Sequence, residues 1–93
     1  MIVICRFRLT EAETQSFVGR ARNAVQVLSA KAGFTSADLG QNLDEPELWT
    51  LTTRWQNVGS YRRALQGFEA KMAVVPLLSA CLDEPTAYED PEA

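Results

Sequence analysis

The side chains with the most chemical potential in this sequence are aromatic. Phe7, Trp49, Trp55, Tyr61 and Phe68, together with Met72, fall at strand and helix spacings that aim them at one interior. An indole N–H or a phenol O–H taken out of water must find a partner. Trp55 and Tyr61, six residues apart, are therefore either core residues with protein partners or walls of a cavity whose ligand supplies the partner. For a ligand, Tyr61 offers two services: donating a hydrogen bond to an aryl oxyanion or, once deprotonated, accepting a proton. Phe7, Trp49, Phe68 and Met72 would line the same pocket, while Phe7, Phe17 and Phe68 also read as plain core.

Much other chemistry is excluded by composition. Among 93 residues there is no histidine, so a Ser-His-Asp or Cys-His machine and a His-based zinc site are out of reach. The acids at Asp44, Glu45 and Glu47 belong to a turn, and neither a metal-ligand cluster nor a glycine-rich phosphate loop nor a nucleophile elbow is present. Nine scattered Lys and Arg against twelve Asp and Glu give a net charge of -3, which leaves no footprint for a phosphate backbone. Nucleic acid is not an expected partner. No segment resembles a secretory leader or a membrane span, so the expectation is a soluble cytoplasmic protein without a membrane partner. Cys5 and Cys81 lack a C-x-x-C motif and read as reduced, buried small hydrophobes, with a disulfide or redox role as the alternative.

The elements that must position these residues follow from pattern. Met1 to Leu9 is rich in Ile, Val and Phe and reads as a strand, with Val3, Cys5, Phe7 and Leu9 on one face. Thr10-Glu11-Ala12-Glu13 has the form of a capping box. Phe17, Ala21, Ala24, Val25, Leu28 and Ala32 then recur at helical steps, with Lys31 expected in the last turn and Gly33 as its left-handed cap. Phe34 to Leu43 and Leu48 to Trp55 form a hairpin around Asp44-Glu45-Pro46-Glu47. On its second arm Trp49, Leu51, Thr53 and Trp55 share one face, and Leu48, Thr50, Thr52 and Arg54 the other. A second helical stretch runs from Asn57 to Ala80, with a break at Gly67 and an irregularity at Pro76, and aims Tyr61, Leu65, Phe68 and Met72 inward. Leu82 to Tyr88 reads as a last strand, and residues 89–93 as an acidic tail.

The order β-α-β-β-α-β predicts an α+β, ferredoxin-like fold: a four-stranded antiparallel sheet with the helices on one face. The other face would leave Ile2, Ile4 and Leu48 in water, which predicts a homodimer joined sheet to sheet. Arg6, Arg8 and Arg54 fall on that face and read as ion-paired or solvated.

With this topology in place, the chain resembles the antibiotic biosynthesis monooxygenase family of the dimeric α+β barrel superfamily. The likeness covers residues 1–88 as a single domain. It rests on Ile4-Cys5-Arg6-Phe7-Arg8-Leu9 leading into a long helix, Gly33-Phe34, Asp44-Glu45-Pro46, Trp55 before Tyr61, and Pro76-Leu77-Leu78. The resemblance implies a cofactor-independent monooxygenase that oxidises a small electron-rich aromatic substrate, phenolic or polyketide-like, with O₂ and without bound flavin or metal. A deprotonated polyphenol can itself reduce O₂, so the protein need only bind it, exclude water and stabilise charge. Trp55 and Tyr61 stand where the family carries its pocket tryptophan and tyrosine. Departures are Thr53, where an acid is frequent, and Ala64 or Leu65, near the position of a helix histidine. These departures favour the alternative, a non-catalytic ligand-binding or helper module for an aromatic metabolite. A third reading is an interaction subunit with a filled interior. Haem-degrading relatives use a strand Asn, the same Trp and a helix His; here Phe7 replaces the Asn and no His exists, which excludes that branch.

Overall fold

In the computed structural model, which describes residues 1–92, four antiparallel strands form one sheet in the order β2-β3-β1-β4. The elements are β1 (Ile2–Arg8), α1 (Glu11–Ser29), β2 (Phe34–Gln41), β3 (Leu48–Trp55), α2 (Val58–Ala64), α3 (Phe68–Ala73), α4 (Val75–Ser79) and β4 (Ala87–Tyr88). This is the ferredoxin-like α+β arrangement expected from the sequence, with the second helical stretch divided into three. β1 is a central strand: Val3, Cys5 and Phe7 point into the core and Arg6 and Arg8 away from it, as strand alternation requires.

α1 starts as its capping box dictates. The Glu13 amide donates to Thr10 Oγ1 at 3.2 Å and the Thr10 amide to Glu13 Oε1 at 3.0 Å. Its buried stripe, Phe17, Ala21, Ala24 and Leu28, keeps the expected period and seals one face of the sheet. The end differs from expectation, because the helix stops at Ser29 and is capped by Ala30 in a right-handed conformation. Gly33 does have a positive φ of 88°, yet it works further on. A Cβ there would lie 2.3 Å from Ser60 Oγ, so only glycine lets the start of β2 meet α2 this closely.

The hairpin holds to its turn chemistry. Asn42 Oδ1 accepts from the amides of Asp44 and Glu45, both at 2.9 Å, and β2 ends at Gln41 rather than Leu43. β2 also carries a bulge between Phe34 and Ser36, which turns the strand end beside Trp55.

Past β3, Asn57 caps α2, its Oδ1 accepting from the Ser60 amide at 2.8 Å. Gly67, at φ 91°, and Pro76, in the first turn of α4, then break the stretch twice. Each break resets the helical phase. Ala70, Val74 and Leu77 therefore become the buried set, while Phe68 and Met72, expected to face inward, are 80% and 65% exposed. β4 is only two residues long, shorter than the expected Leu82 to Tyr88. The chain before it is nevertheless tied to β1 by the Leu82 amide donating to Arg6 O and the Ile4 amide to Thr86 O, both at 2.7 Å. Glu89 to Glu92 are exposed; Ala93, the last residue of the expected tail, lies outside the described residues.

On the uncovered face of the sheet, Ile2 and Ile4 are half-buried. Leu48, expected in water, is only 9% exposed because the hairpin turn closes around it: the Asn42 amide donates to Leu48 O at 2.8 Å. Of the arginines on this face, Arg6 and Arg8 pair with acids and Arg54 is exposed, within the ion-paired or solvated expectation. Arg6 binds both carboxylate oxygens of Glu84, at 2.6 and 2.8 Å, and Arg8 reaches Glu47 at 3.3 Å. Among the described residues no helix is long and apolar enough to cross a membrane.

Candidate functional site

The aromatic residues that the sequence gathers into one interior are separated by the fold into two trios. At the end of β3 the Trp55 ring is fixed by three neighbours. Phe34 meets it edge-on with centroids 5.4 Å apart, Tyr61 lies tilted at 5.7 Å, and the indole N–H donates to Thr53 Oγ1 at 2.9 Å. Strand alternation places Thr53 and Trp55 on the same face. The backbone is clamped as well, by the Trp55 amide donating to Met1 O at 2.9 Å. Trp55 is 2% exposed, so the partner its indole needed is a threonine two residues back.

Tyr61 is half-buried on α2, one turn past the Asn57 cap. Burial first, and then the neighbouring Cys5 and Cys81, push its phenol pKa above the usual range. The phenol is thereby held in its protonated form. Of the two services open to Tyr61, hydrogen-bond donation is the one this environment supports.

The second trio sits at the hairpin end of the sheet. Phe17 from α1 packs on Phe7 of β1 at 4.8 Å and on Trp49 of β3 at 5.6 Å. Phe7 is fully buried and Trp49 half-buried. Among the described residues the Trp49 indole Nε1 is a buried donor with no partner. An unpaired buried donor costs about 1–3 kcal/mol.

Hollows follow the same division. A small hollow of about 100 Å³, open to solvent beside the exposed Arg20, is bounded by Phe7, Phe17 and Leu77. It lies below the ~300–1,000 Å³ typical of sites for drug-sized ligands. An open groove of about 540 Å³ runs between the first turns of α1 and the hairpin, along Leu9, Thr14, Gln15, Gln41 and Pro46. Gln41 is the cross-strand neighbour of Trp49. A hollow of about 420 Å³ on the uncovered face touches Trp55 from behind, with Ile2, Arg54 and Asp90. None of these hollows has Tyr61 in its wall. Among the described residues no group of three or more His, Cys, Asp or Glu is placed to hold a metal ion.

Comparison with known proteins decides the family. Residues 1–74 match the model of the family described as antibiotic biosynthesis monooxygenase. The chain belongs to the antibiotic biosynthesis monooxygenase family. Solved structures agree on the fold. A conserved protein from Methanosarcina mazei Go1 superposes with a TM-score of 0.75 at 24% identity, over 92% of this chain and 84% of that one. SnoaB, a cofactor-independent oxygenase from Streptomyces nogalater, superposes with a TM-score of 0.74 at 19% identity, over 86% and 80%. A Mycobacterium tuberculosis protein follows at 0.72 and 17%, over 92% and 86%. Among curated proteins none matches this chain. Membership of the antibiotic biosynthesis monooxygenase family supports a monooxygenase-type function.

Within this family member, the structure brings together Trp55 and Tyr61 and, separately, Phe7 and Trp49. It does not join the two pairs through one cavity, and it puts Phe68 and Met72 on the outer surface of α3. Sequence reasoning missed two neighbours of Trp55. Thr53 was legible from its place two residues back on the same strand face. Phe34 was not, because the bulge that turns it toward Trp55 leaves no mark in the spacing.

Proposed function

We propose that this chain is a cofactor-independent monooxygenase acting with O₂ on a small electron-rich aromatic substrate, at Tyr61 over the buried Trp55. The observation that carries the reading is Tyr61 itself. It is a half-buried phenol packed at a tilt against the rigid Trp55 indole, and burial raises its pKa and so disfavours the phenolate. In a member of this family, such a donor suits an aryl oxyanion that must be bound before it can give an electron to O₂. SnoaB, which shares the fold, is itself described as a cofactor-independent oxygenase. Trp55, buried and with its N–H already engaged by Thr53, holds the tilted Tyr61 ring in place and takes no part in proton transfer.

The uncovered sheet face, with half-buried Ile2 and Ile4, supports a homodimer joined through that face. Closed packing around Trp55 favours one alternative, a non-catalytic module that binds an aromatic metabolite without turning it over. Oxygen consumption by the purified protein with a panel of dihydroxylated polyaromatics separates the two. Uptake above the protein-free rate, with ¹⁸O from ¹⁸O₂ recovered in the product, is the oxygenase result. Binding without uptake is the helper result, and neither binding nor uptake overturns both.

A further inference from the structure

Cys5 and Cys81 come from opposite ends of the chain, yet the fold brings them together. Cys5 sits buried on the inner face of β1. Cys81 follows α4, is half-buried, and packs against the core cluster that contains Cys5. The approach is held by backbone. The Leu82 amide, next to Cys81, donates to the carbonyl of Arg6, next to Cys5, at 2.7 Å, and the Arg6 to Glu84 ion pair and the Ile4 to Thr86 hydrogen bond extend the same seam. Burial first, and then the proximity of Cys81, push the Cys5 pKa up to about 12. Both sulfurs also act on the Tyr61 phenol.

We propose that Cys5 and Cys81 are a redox-active dithiol that closes a reversible disulfide between β1 and the segment after α4 when the chain meets a hydroperoxide. Cys81 reacts first, because it is the more accessible sulfur while Cys5 stays protonated. Its thiolate attacks the peroxide O–O bond; an S–O bond forms, the O–O bond breaks, and the departing oxygen takes up a proton and leaves as water or an alcohol. The Cys5 sulfur then attacks the Cys81 sulfur. The S–S bond forms, the S–O bond breaks, and the hydroxyl leaves with the Cys5 proton as water. The two thiols have together lost two electrons, and the peroxide has gained them. An external dithiol restores the pair by exchange. The disulfide closes a ring through most of the chain and adds a covalent link to the hydrogen bonds that hold the segment after α4 along β1. The proposal does not depend on oxygenase activity, since the oxidant is any hydroperoxide.

The test treats the reduced, full-length protein with hydrogen peroxide and counts thiols under denaturing conditions by alkylation and intact mass. The expected result is loss of both thiols together, a mass lower by two hydrogens per chain, and a non-reduced peptide map in which tryptic fragments 1–6 and 72–93 are joined. Dithiothreitol should return both thiols. The oxidised protein should melt roughly 5–15 °C higher than the reduced one. Cys81→Ser and the apolar Cys5→Ala should each abolish the link and the melting shift. Two surviving thiols, oxygen added to Cys81 with no link, or a link between two chains would each overturn the proposal.

Discussion

The two aromatic trios use the same residue types at opposite ends of one sheet and arrive at opposite states. Around Trp55 everything closes: the indole N–H has Thr53, the ring has Phe34 and Tyr61, and Gly33 lets α2 settle against the start of β2. Around Trp49 the packing with Phe17 and Phe7 is as tight, but among the described residues the indole N–H has no partner, and an open groove runs past its strand neighbour Gln41. Here the strand itself decides the state of each indole: Thr53, two residues back, satisfies Trp55, and no such acceptor stands before Trp49. Residue 47, the position corresponding to Thr53 for Trp49, is a glutamate in the turn, paired with Arg8.

The comparison can be broken most forcefully at the ring shared by the Trp49 trio. Phe17→Ala should cost about 3–5 kcal/mol in urea unfolding, since it removes a fully buried ring between β1 and β3. Next comes the closed end: Gly33→Ala should lose about 2–3 kcal/mol, because alanine must adopt a φ of 88° and its Cβ meets Ser60. Thr53→Val keeps the shape while orphaning the Trp55 N–H, which should cost about 1–3 kcal/mol. Trp49→Phe, by contrast, deletes a donor that is already unpaired and should change stability by less than about 1 kcal/mol in either direction. If Thr53→Val and Trp49→Phe prove equally costly, the distinction between the trios is wrong.

The pH response sits at alkaline pH. Cys5 titrates at about 12 when folded against 9.0 for an ordinary thiol, and Tyr61 is shifted the same way. For acids raised in the folded state, the unfolded chain releases its protons first. Their stabilisation is complete below about pH 9 and is lost as the pH rises toward 12. Urea midpoints measured across that window should fall, and Cys5→Ala should flatten the fall without changing the neutral-pH slope.

The fold was largely legible because its signals are local. The capping box at Thr10, the alternation along β1 and β3 and the acidic turn each report on a few neighbouring residues, and each formed as read. Where the reading failed, distant geometry decided. Gly67 and Pro76 both appeared as breakers, yet the sequence does not say by how much each rotates the helix that follows, so Phe68 and Met72 were assigned to the wrong side. Gly33 was read as a helix cap because its partner Ser60 lies on another element. Of the candidate site, the Trp55 and Tyr61 contact was legible. The meeting of Cys5 with Cys81 was not, since it depends on how the segment after α4 lies along β1.

On the proposed function Tyr61, packed against Trp55, is the working group, and Trp49 at the other end is not. Oxygen uptake by Tyr61→Phe and Trp49→Phe, measured beside the unsubstituted protein on the best substrate of the polyaromatic panel, tests this most directly. Tyr61→Phe should lose roughly tenfold or more in rate, the contribution of a single positioned donor to charge stabilisation, while Trp49→Phe should stay within about twofold. An undiminished rate in Tyr61→Phe, or a collapse confined to Trp49→Phe, would contradict it and move the site to the open groove.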